Sequence, residues 1–275
     1  MSECLINGRP SAVVGVTDRG FSYGDGLFET LRFSGGRPLL FERHLQRMQQ
    51  GLQRLSILEA GLLEQLRADV DQMCRGQSEG LLKIQVSRGE GGRGYRGQVD
   101  QGPTRVVQRF PAPVYPGHWF ENGAELFRCQ TRLGLCPQLA GIKHMNRLEQ
   151  VLARSEWHDQ FPEGIVCDLD GYVVEGTMSN LFMIRNGVLF TPKLDRCGVA
   201  GIVRSVIMDA AEGAGVELHE TRIRYEQLAE ADGLFMTNTG FGVLPVKSIA
   251  DQRYPLHPLT DLASQWLEEA RRCES

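Results

Sequence analysis

Lysine is scarce in this 275-residue chain: of its 30 basic residues only four are lysines, Lys83, Lys143, Lys193 and Lys247. Chemistry that requires a side-chain amine therefore has few places to occur. Long apolar runs are missing as well, none approaching the roughly 20 residues of a transmembrane helix. Residues 1–10 lack the basic stretch and apolar core of a signal peptide, so the expectation is a cytosolic chain with no membrane partner. There is no excess of positive charge: 30 basic against 34 acidic residues give a net charge of −4, which removes any general pull towards nucleic acid. The seven cysteines are odd in number, scattered and never spaced Cys-x-x-Cys, which excludes a disulfide framework and a zinc knuckle. Internal repeats and low-complexity tracts are also lacking. At 41% hydrophobic and 23% charged the composition is that of an ordinary folded protein, with a small molecule as the expected partner.

The patterns that are present describe an α/β chain. Residues 12–16 and the alternating segment 27–33 read as strands, and residues 39–58 as a helix with Leu45, Met48, Leu52 and Leu55 on its buried stripe. A helix over 62–73 and strands at 81–87 and 105–110 follow, separated by the glycine-rich, polar stretch 88–97, which reads as a mobile loop. Pro111, Pro113, Pro116 and Gly117 crowd seven residues and mark an interdomain linker. The division is an N-terminal α/β domain at 1–113, a linker at 114–122 and a C-terminal domain at 123–275. In the second part strands are expected near 125–129, 164–169, 172–175 and 181–184, with helices over 146–160, 202–213 and 259–272. Asp170-Gly171 and Asn186-Gly187 supply hairpin turns.

Four strings carry more specific information. They are Asp18-Arg19-Gly20-Phe21-Ser22-Tyr23-Gly24-Asp25-Gly26-Leu27-Phe28-Glu29-Thr30, His44-Leu45-Gln46-Arg47, Gly141-Ile142-Lys143, and Glu175-Gly176-Thr177-Met178-Ser179-Asn180-Leu181-Phe182. In that order and spacing they resemble the fold-type IV family of pyridoxal-phosphate enzymes, which holds branched-chain aminotransferases, D-amino-acid aminotransferases and aminodeoxychorismate lyases. The resemblance spans about residues 7–246. It implies an α/β (α+β) two-domain architecture like that of D-amino-acid aminotransferases, pyridoxal 5'-phosphate as cofactor, no metal, and a homodimer whose partner chain helps to close the site.

The resemblance also assigns residues. Such an enzyme holds its cofactor on a lysine that then serves as acid and base. Lys143, between Ile142 and Met145, stands in the family's Gly-x-Lys context. Lys193 and Lys247 read as solvated, and position alone leaves Lys83 open. Glu175, followed by Gly176, would keep the cofactor's ring nitrogen protonated. A phosphate calls for fixed donors at a helix start, which Gly201, Ile202 and Val203 would supply, together with Arg47 and Thr239. Val203 departs from the aminotransferase pattern, where a threonine hydroxyl often contributes, so here only its amide could serve. Arg93 and Tyr95 match positions that grip a substrate carboxylate. An isolated arginine on a helix or in a loop is ordinarily solvated, so the roles of Arg47 and Arg93 rest on the resemblance. His44 and His144 lack an accompanying carboxylate-rich helix and read as helix-surface or supporting residues rather than a metal pair.

Within the family, residues 139–152 and the loop 87–95 look most like the aminodeoxychorismate lyases. That implies conversion of 4-amino-4-deoxychorismate to 4-aminobenzoate and pyruvate, a step of folate synthesis. A D-amino-acid or branched-chain aminotransferase would use the same cofactor residues. A non-enzymatic pyridoxal-binding protein and a cofactor-free binding module are the remaining readings.

Overall fold

The computed structural model describes residues 3–97 and 102–274. By its internal contacts the chain divides into two compact units, Met1–Pro113 with Ile142–Asn146 and Cys273–Ser275, and Val114–Gly141 with Arg147–Arg272. The segment bearing Lys143 thus packs with the first unit, although it lies far beyond the proline-rich stretch in sequence.

In the first unit β1 (Cys4–Ile6), β2 (Arg9–Pro10), α1 (Arg19–Tyr23), β3 (Gly26–Ser34), β4 (Arg37–Pro38), α2 (Phe41–Arg54), α3 (Leu62–Cys74), β5 (Glu79–Ser87) and β6 (Thr104–Phe110) follow one another. The strands form a sheet in the order β2-β1-β6-β5-β3-β4. The central pair β3/β5 is antiparallel from Gly26 opposite Ser87 to Ser34 opposite Glu79, with no register break. Strand alternation places Leu27, Glu29, Leu31 and Phe33 on one buried face and Phe28 and Thr30 on the other. Leu45, Met48 and Leu52 of α2 and Leu66, Val70 and Met73 of α3 are buried in the same unit, as the three-to-four spacing requires. Glu29 therefore sits on an apolar face and must find partners there.

The second unit contains α4 (Gly117–Asn122), β7 (Ala124–Leu133), α5 (Leu148–Arg154), β8 (Glu163–Asp168), β9 (Tyr172–Gly176), β10 (Asn180–Arg185), β11 (Val188–Pro192), α6 (Ile202–Gly213), β12 (Leu218–Thr221), β13 (Ile223–Arg224), β14 (Gly233–Asn238), β15 (Gly242–Ile249), β16 (Gln252–Arg253) and α7 (Pro258–Cys273). Its sheet runs β12-β11-β10-β14-β15-β7-β8-β9-β13, with β16 beside β15. Most pairs are antiparallel, but β15/β7, β7/β8 and β11/β12 are parallel. Leu126, Ile165, Leu181, Met236, Leu244 and Val246 belong to one core cluster, and Phe182 stacks on Phe235 with centroids 4.9 Å apart. Asn186 and Gly187, at φ 52° and 75°, make the left-handed turn between β10 and β11 that the Asn-Gly dipeptide signals. Among the described residues no helix is long and apolar enough to cross a membrane.

Three local expectations are corrected. Residues 12–16 are not a strand: Val13 and Val16 are 79% exposed, and the ladder stops at Pro10, which has no N–H to continue it. The helix expected over 146–160 is confined to Leu148–Arg154, because Trp157 is buried against Phe127 and donates Nε1–H to the Phe161 carbonyl, drawing the chain out of the helix. Residues 117–122, taken as linker, form α4 once the prolines end at Pro116.

Candidate functional site

In the first unit the Lys143 segment lies along the start of β3: Phe28 N–H donates to the Lys143 carbonyl at 2.9 Å and Met145 N–H to the Gly26 carbonyl at 2.9 Å. The Lys143 amine lies 4.5 Å from the centroid of the Phe28 ring, a contact between cation and aromatic face. Lys83 is 5.8 Å from the same ring. Lys193 and Lys247 instead pair with Asp195 at 3.3 Å and Glu125 at 3.1 Å on partly exposed surfaces. Lys143 is thus anchored to β3 through its own carbonyl and through the amide two residues further on.

Arg47 does not project into solvent. Its Nε and Nη2 donate to the two carboxylate oxygens of Glu29 at 2.7 and 2.5 Å, and His44 Nδ1 lies 2.7 Å from Glu29 Oε2. Glu29 and His44 are 2% and 1% exposed, so of the two expectations for His44, helix-surface or supporting, the structure agrees with the second: on α2 it faces inward, one turn from Arg47. Burial pushes the Glu29 carboxyl up, but Arg47 and then His44 outweigh it and hold it at about 2. Burial lowers the His44 pKa, Glu29 opposes this, and the Arg47 and Lys143 cations reinforce it, leaving the imidazole neutral at pH 7. The structure thereby gathers Lys143 and Arg47 around a Glu29–His44 pair whose role the sequence had not suggested. The available signal was a glutamate interrupting the apolar face Leu27, Leu31, Phe33.

Arg93 and Tyr95 are exposed in the loop 88–97, Tyr95 at 90%. The loop backbone has partners in the first unit: Arg19 Nη1 and Nη2 reach the Gly94 and Tyr95 carbonyls at 2.9 and 3.3 Å, and Gly94 N–H donates to the Tyr23 hydroxyl at 3.1 Å.

In the second unit Glu175 ends β9 and is 4% exposed. Its Oε2 accepts the Val199 N–H at 2.8 Å, and Gln150 Nε2 stands 3.5 Å from Oε1. Arg147 is close enough to feel Glu175: burial lowers its pKa while Glu175 and Glu149 act to raise it. Val199 leads to Gly201, the N-cap of α6, where no side chain satisfies the first amides of the helix, including those of Ile202 and Val203. Asn180 buttresses this turn, its Nδ2 donating to the Val199 carbonyl at 2.8 Å, and a Cβ at Gly201 would fall 2.0 Å from Asn180 Oδ1. Thr239 is half-buried in the turn between β14 and β15, which Phe241 N–H closes on Asn238 Oδ1 at 2.8 Å. Thr237, opposite Asn180 in the β10/β14 ladder, has a buried hydroxyl with no hydrogen-bond partner among the described residues.

Within the second unit, uncapped amides at a 12-residue helix, a buried carboxylate in Glu175 and an orphaned hydroxyl in Thr237 suit a phosphorylated ligand with a protonated ring nitrogen. The first unit by itself carries an amine, Lys143, of the kind that condenses with an aldehyde. Among the described residues no cluster of three or more His, Cys, Asp or Glu is arranged to hold a metal.

The amino-transferase class IV family matches residues 26–249. An aminodeoxychorismate lyase of Vibrio harveyi is 36% identical over 246 residues, covering 89% of this chain and 90% of its own. A D-alanine aminotransferase of Bacillus licheniformis is 29% identical over 259 residues, 91% of this chain and 89% of its own. The crystal structure of 4-amino-4-deoxychorismate lyase from Pseudomonas aeruginosa superposes with a TM-score of 0.93 at 43% identity, covering 97% of this chain and 98% of that one. The chain belongs to the class IV aminotransferase family and has its fold-type IV architecture. Its cofactor is pyridoxal 5'-phosphate.

Proposed function

We propose that this chain is an aminodeoxychorismate lyase, converting 4-amino-4-deoxychorismate to 4-aminobenzoate and pyruvate, a reaction that serves folate synthesis. The observation that carries the reading is the likeness to lyases along nearly the whole chain, at 36% and 43% identity, above that to the D-alanine aminotransferase. Lys143 would hold the cofactor, Glu175 would face its ring nitrogen, and Arg47, Thr239 and the amides of Gly201, Ile202 and Val203 would take its phosphate. When bound, that group supplies an electron sink for the charge left when a carbon–hydrogen bond beside the substrate amine breaks. Lys143 Nζ takes that proton from the substrate carbon and delivers one to the enolpyruvyl methylene as pyruvate leaves. The Glu175 carboxylate, fixed by Val199 N–H, keeps a proton on the facing nitrogen. Arg93, with Tyr95 beside it, binds a substrate carboxylate. The remaining ring becomes aromatic, so the elimination runs downhill without a second substrate.

The same reading includes a cytoplasmic homodimer. Supporting the dimer are the exposed apolar side chains of the first unit, Val13, Val16 and Phe21 at 79%, 79% and 76%, which a second copy would cover. Elimination needs no second substrate, whereas a transaminase stops after one turnover until a keto acid is supplied. Purified enzyme given aminodeoxychorismate and no keto acid is therefore expected to release 4-aminobenzoate and pyruvate in equal amounts over many turnovers. A single stoichiometric burst that resumes only on adding a keto acid would make it an aminotransferase instead.

A further inference from the structure

The short helix α1 and the turn after it hold the loop that carries Arg93. Arg19 is 3% exposed, and a guanidinium withdrawn from water needs acceptors for its donors. It finds one in Asp25 Oδ2, at 2.9 Å from Nε, and the others in the Gly94 and Tyr95 carbonyls. Its plane lies over the Tyr23 ring at 4.8 Å, and that ring meets Tyr95 edge-on at 5.8 Å. The loop's near end is tied to the same stretch: Arg19 N–H donates to the Gly89 carbonyl at 2.9 Å and Gly91 N–H to the Thr17 carbonyl at 3.1 Å. Arg88 grips Asp25 with Nε and Nη2 at 2.8 and 3.1 Å, which fixes the carboxylate that orients Arg19. Backbone on both sides of Arg93 is thus clamped while the Arg93 side chain remains exposed.

We propose that Arg19 is the positioning residue of the substrate-carboxylate site, setting the backbone of residues 94–95 so that Arg93 meets a carboxylate from a fixed origin. The proposal rests on the reading of Arg93 as the carboxylate's partner. A planar fork reaches one carboxylate and two carbonyls together, which a lysine ammonium on a flexible stem does not do. A cation held in advance loses less conformational freedom when the ligand arrives, so the benefit appears in substrate binding.

The experiment compares steady-state kinetics of the holoenzyme with aminodeoxychorismate for wild type, Arg93→Ala, Arg19→Lys and the double variant, with cofactor affinity measured by absorbance titration. Arg93→Ala is expected to raise KM roughly tenfold or more, and Arg19→Lys to raise it by roughly three- to tenfold, with kcat and cofactor affinity within about twofold of wild type. In the Arg93→Ala background, Arg19→Lys is expected to add less than about twofold, because the residue it positions is gone. An unchanged KM in Arg19→Lys, or an equal rise with and without Arg93, overturns the positioning role while leaving Arg93 in place. An unchanged KM in Arg93→Ala overturns the reading of Arg93, and the proposal with it. Should Arg19→Lys fail to fold, Tyr23→Phe, which removes only the hydroxyl that accepts Gly94 N–H, is carried through the same comparison and judged by the same outcomes.

Discussion

Replacing Glu29 by Gln tests the first unit's buried charge cluster with a magnitude fixed in advance. Burial pushes this carboxyl up, yet the Arg47 cation and the His44 contact bring it from 4.5 to about 2. At about 1.4 kcal/mol per pKa unit, folding favours the ionised carboxylate by about 3 kcal/mol. That agrees with the roughly 3–5 kcal/mol lost when one partner of a buried ion pair is removed. The folded pKa lies below the unfolded one, so the contribution is complete well above pH 4.5 and disappears as pH falls through 4.5 towards 2. At pH 3 about 1 kcal/mol of it should remain. His44 acts in the same direction: burial keeps it neutral, so the unfolded chain gains a proton as pH drops below 6.5 and acid costs further stability. Urea unfolding of wild type and Glu29→Gln, at pH 7 and again at pH 3, should therefore show a stability gap that shrinks by more than half. A gap of the same size at both pH values would mean that Glu29 matters for its shape and not for its charge. No gap at pH 7 would mean that Arg47 and His44 do not rely on it.

Lys143→Ala is expected to abolish the visible absorbance of the bound cofactor together with turnover, and borohydride reduction of wild type followed by peptide mapping should place the cofactor on Lys143; a label on Lys83, Lys193 or Lys247 would displace it. Glu175→Gln is expected to retain cofactor but to lose activity by roughly a hundredfold or more, since an amide does not stabilise a proton on the facing nitrogen; full activity in this variant would remove Glu175 from that position.

Much of the secondary structure was legible because it rests on local periodicity. The stripe Leu45, Met48, Leu52 announces α2, the alternation at residues 27–33 announces β3, and α6 begins and ends where its pattern does. The sheet order of the second unit was not legible. Its parallel pairs join β7 to β15, segments more than a hundred residues apart, and nothing in either strand names its neighbour. The valines at 12–16 misled for the converse reason: β-branched residues describe a side chain suited to a sheet, not a sheet edge available to receive it. The candidate site divides along similar lines. Lys143, Glu175, His44 and Arg47 stand in short strings that could be read as such, whereas the pairing of Glu29 with His44 and Arg47 exists only once β3 packs beneath α2. Arg19 was hidden more deeply, because two of its acceptors are backbone carbonyls, and carbonyls carry no residue type.

The imbalance between 26 arginines and four lysines acquires a physical reading once the partners are known. Arg19 and Arg88 bridge Asp25 to the carbonyls of residues 94 and 95 and of Leu55 and Ser56. Arg47 clamps Glu29 through two nitrogens, and Arg204, 6% exposed, joins Thr191, the Pro192 carbonyl and Glu220. Each of these tasks needs several directed donors on one rigid plane and a charge that survives burial, and a guanidinium supplies both. An ammonium placed there would offer a point charge, and desolvation would draw its pKa down into the range where it loses its proton. That susceptibility is a defect in a structural cation and a requirement in a catalytic amine. The chain assigns its buried structural cations to arginine, and in the first unit it sets Lys143 against the face of Phe28, its carbonyl and the Met145 amide bonded to β3. A short stem of fixed backbone beneath one amine, and rigid guanidinium planes in the buried clusters, divide the cations by what each has to do.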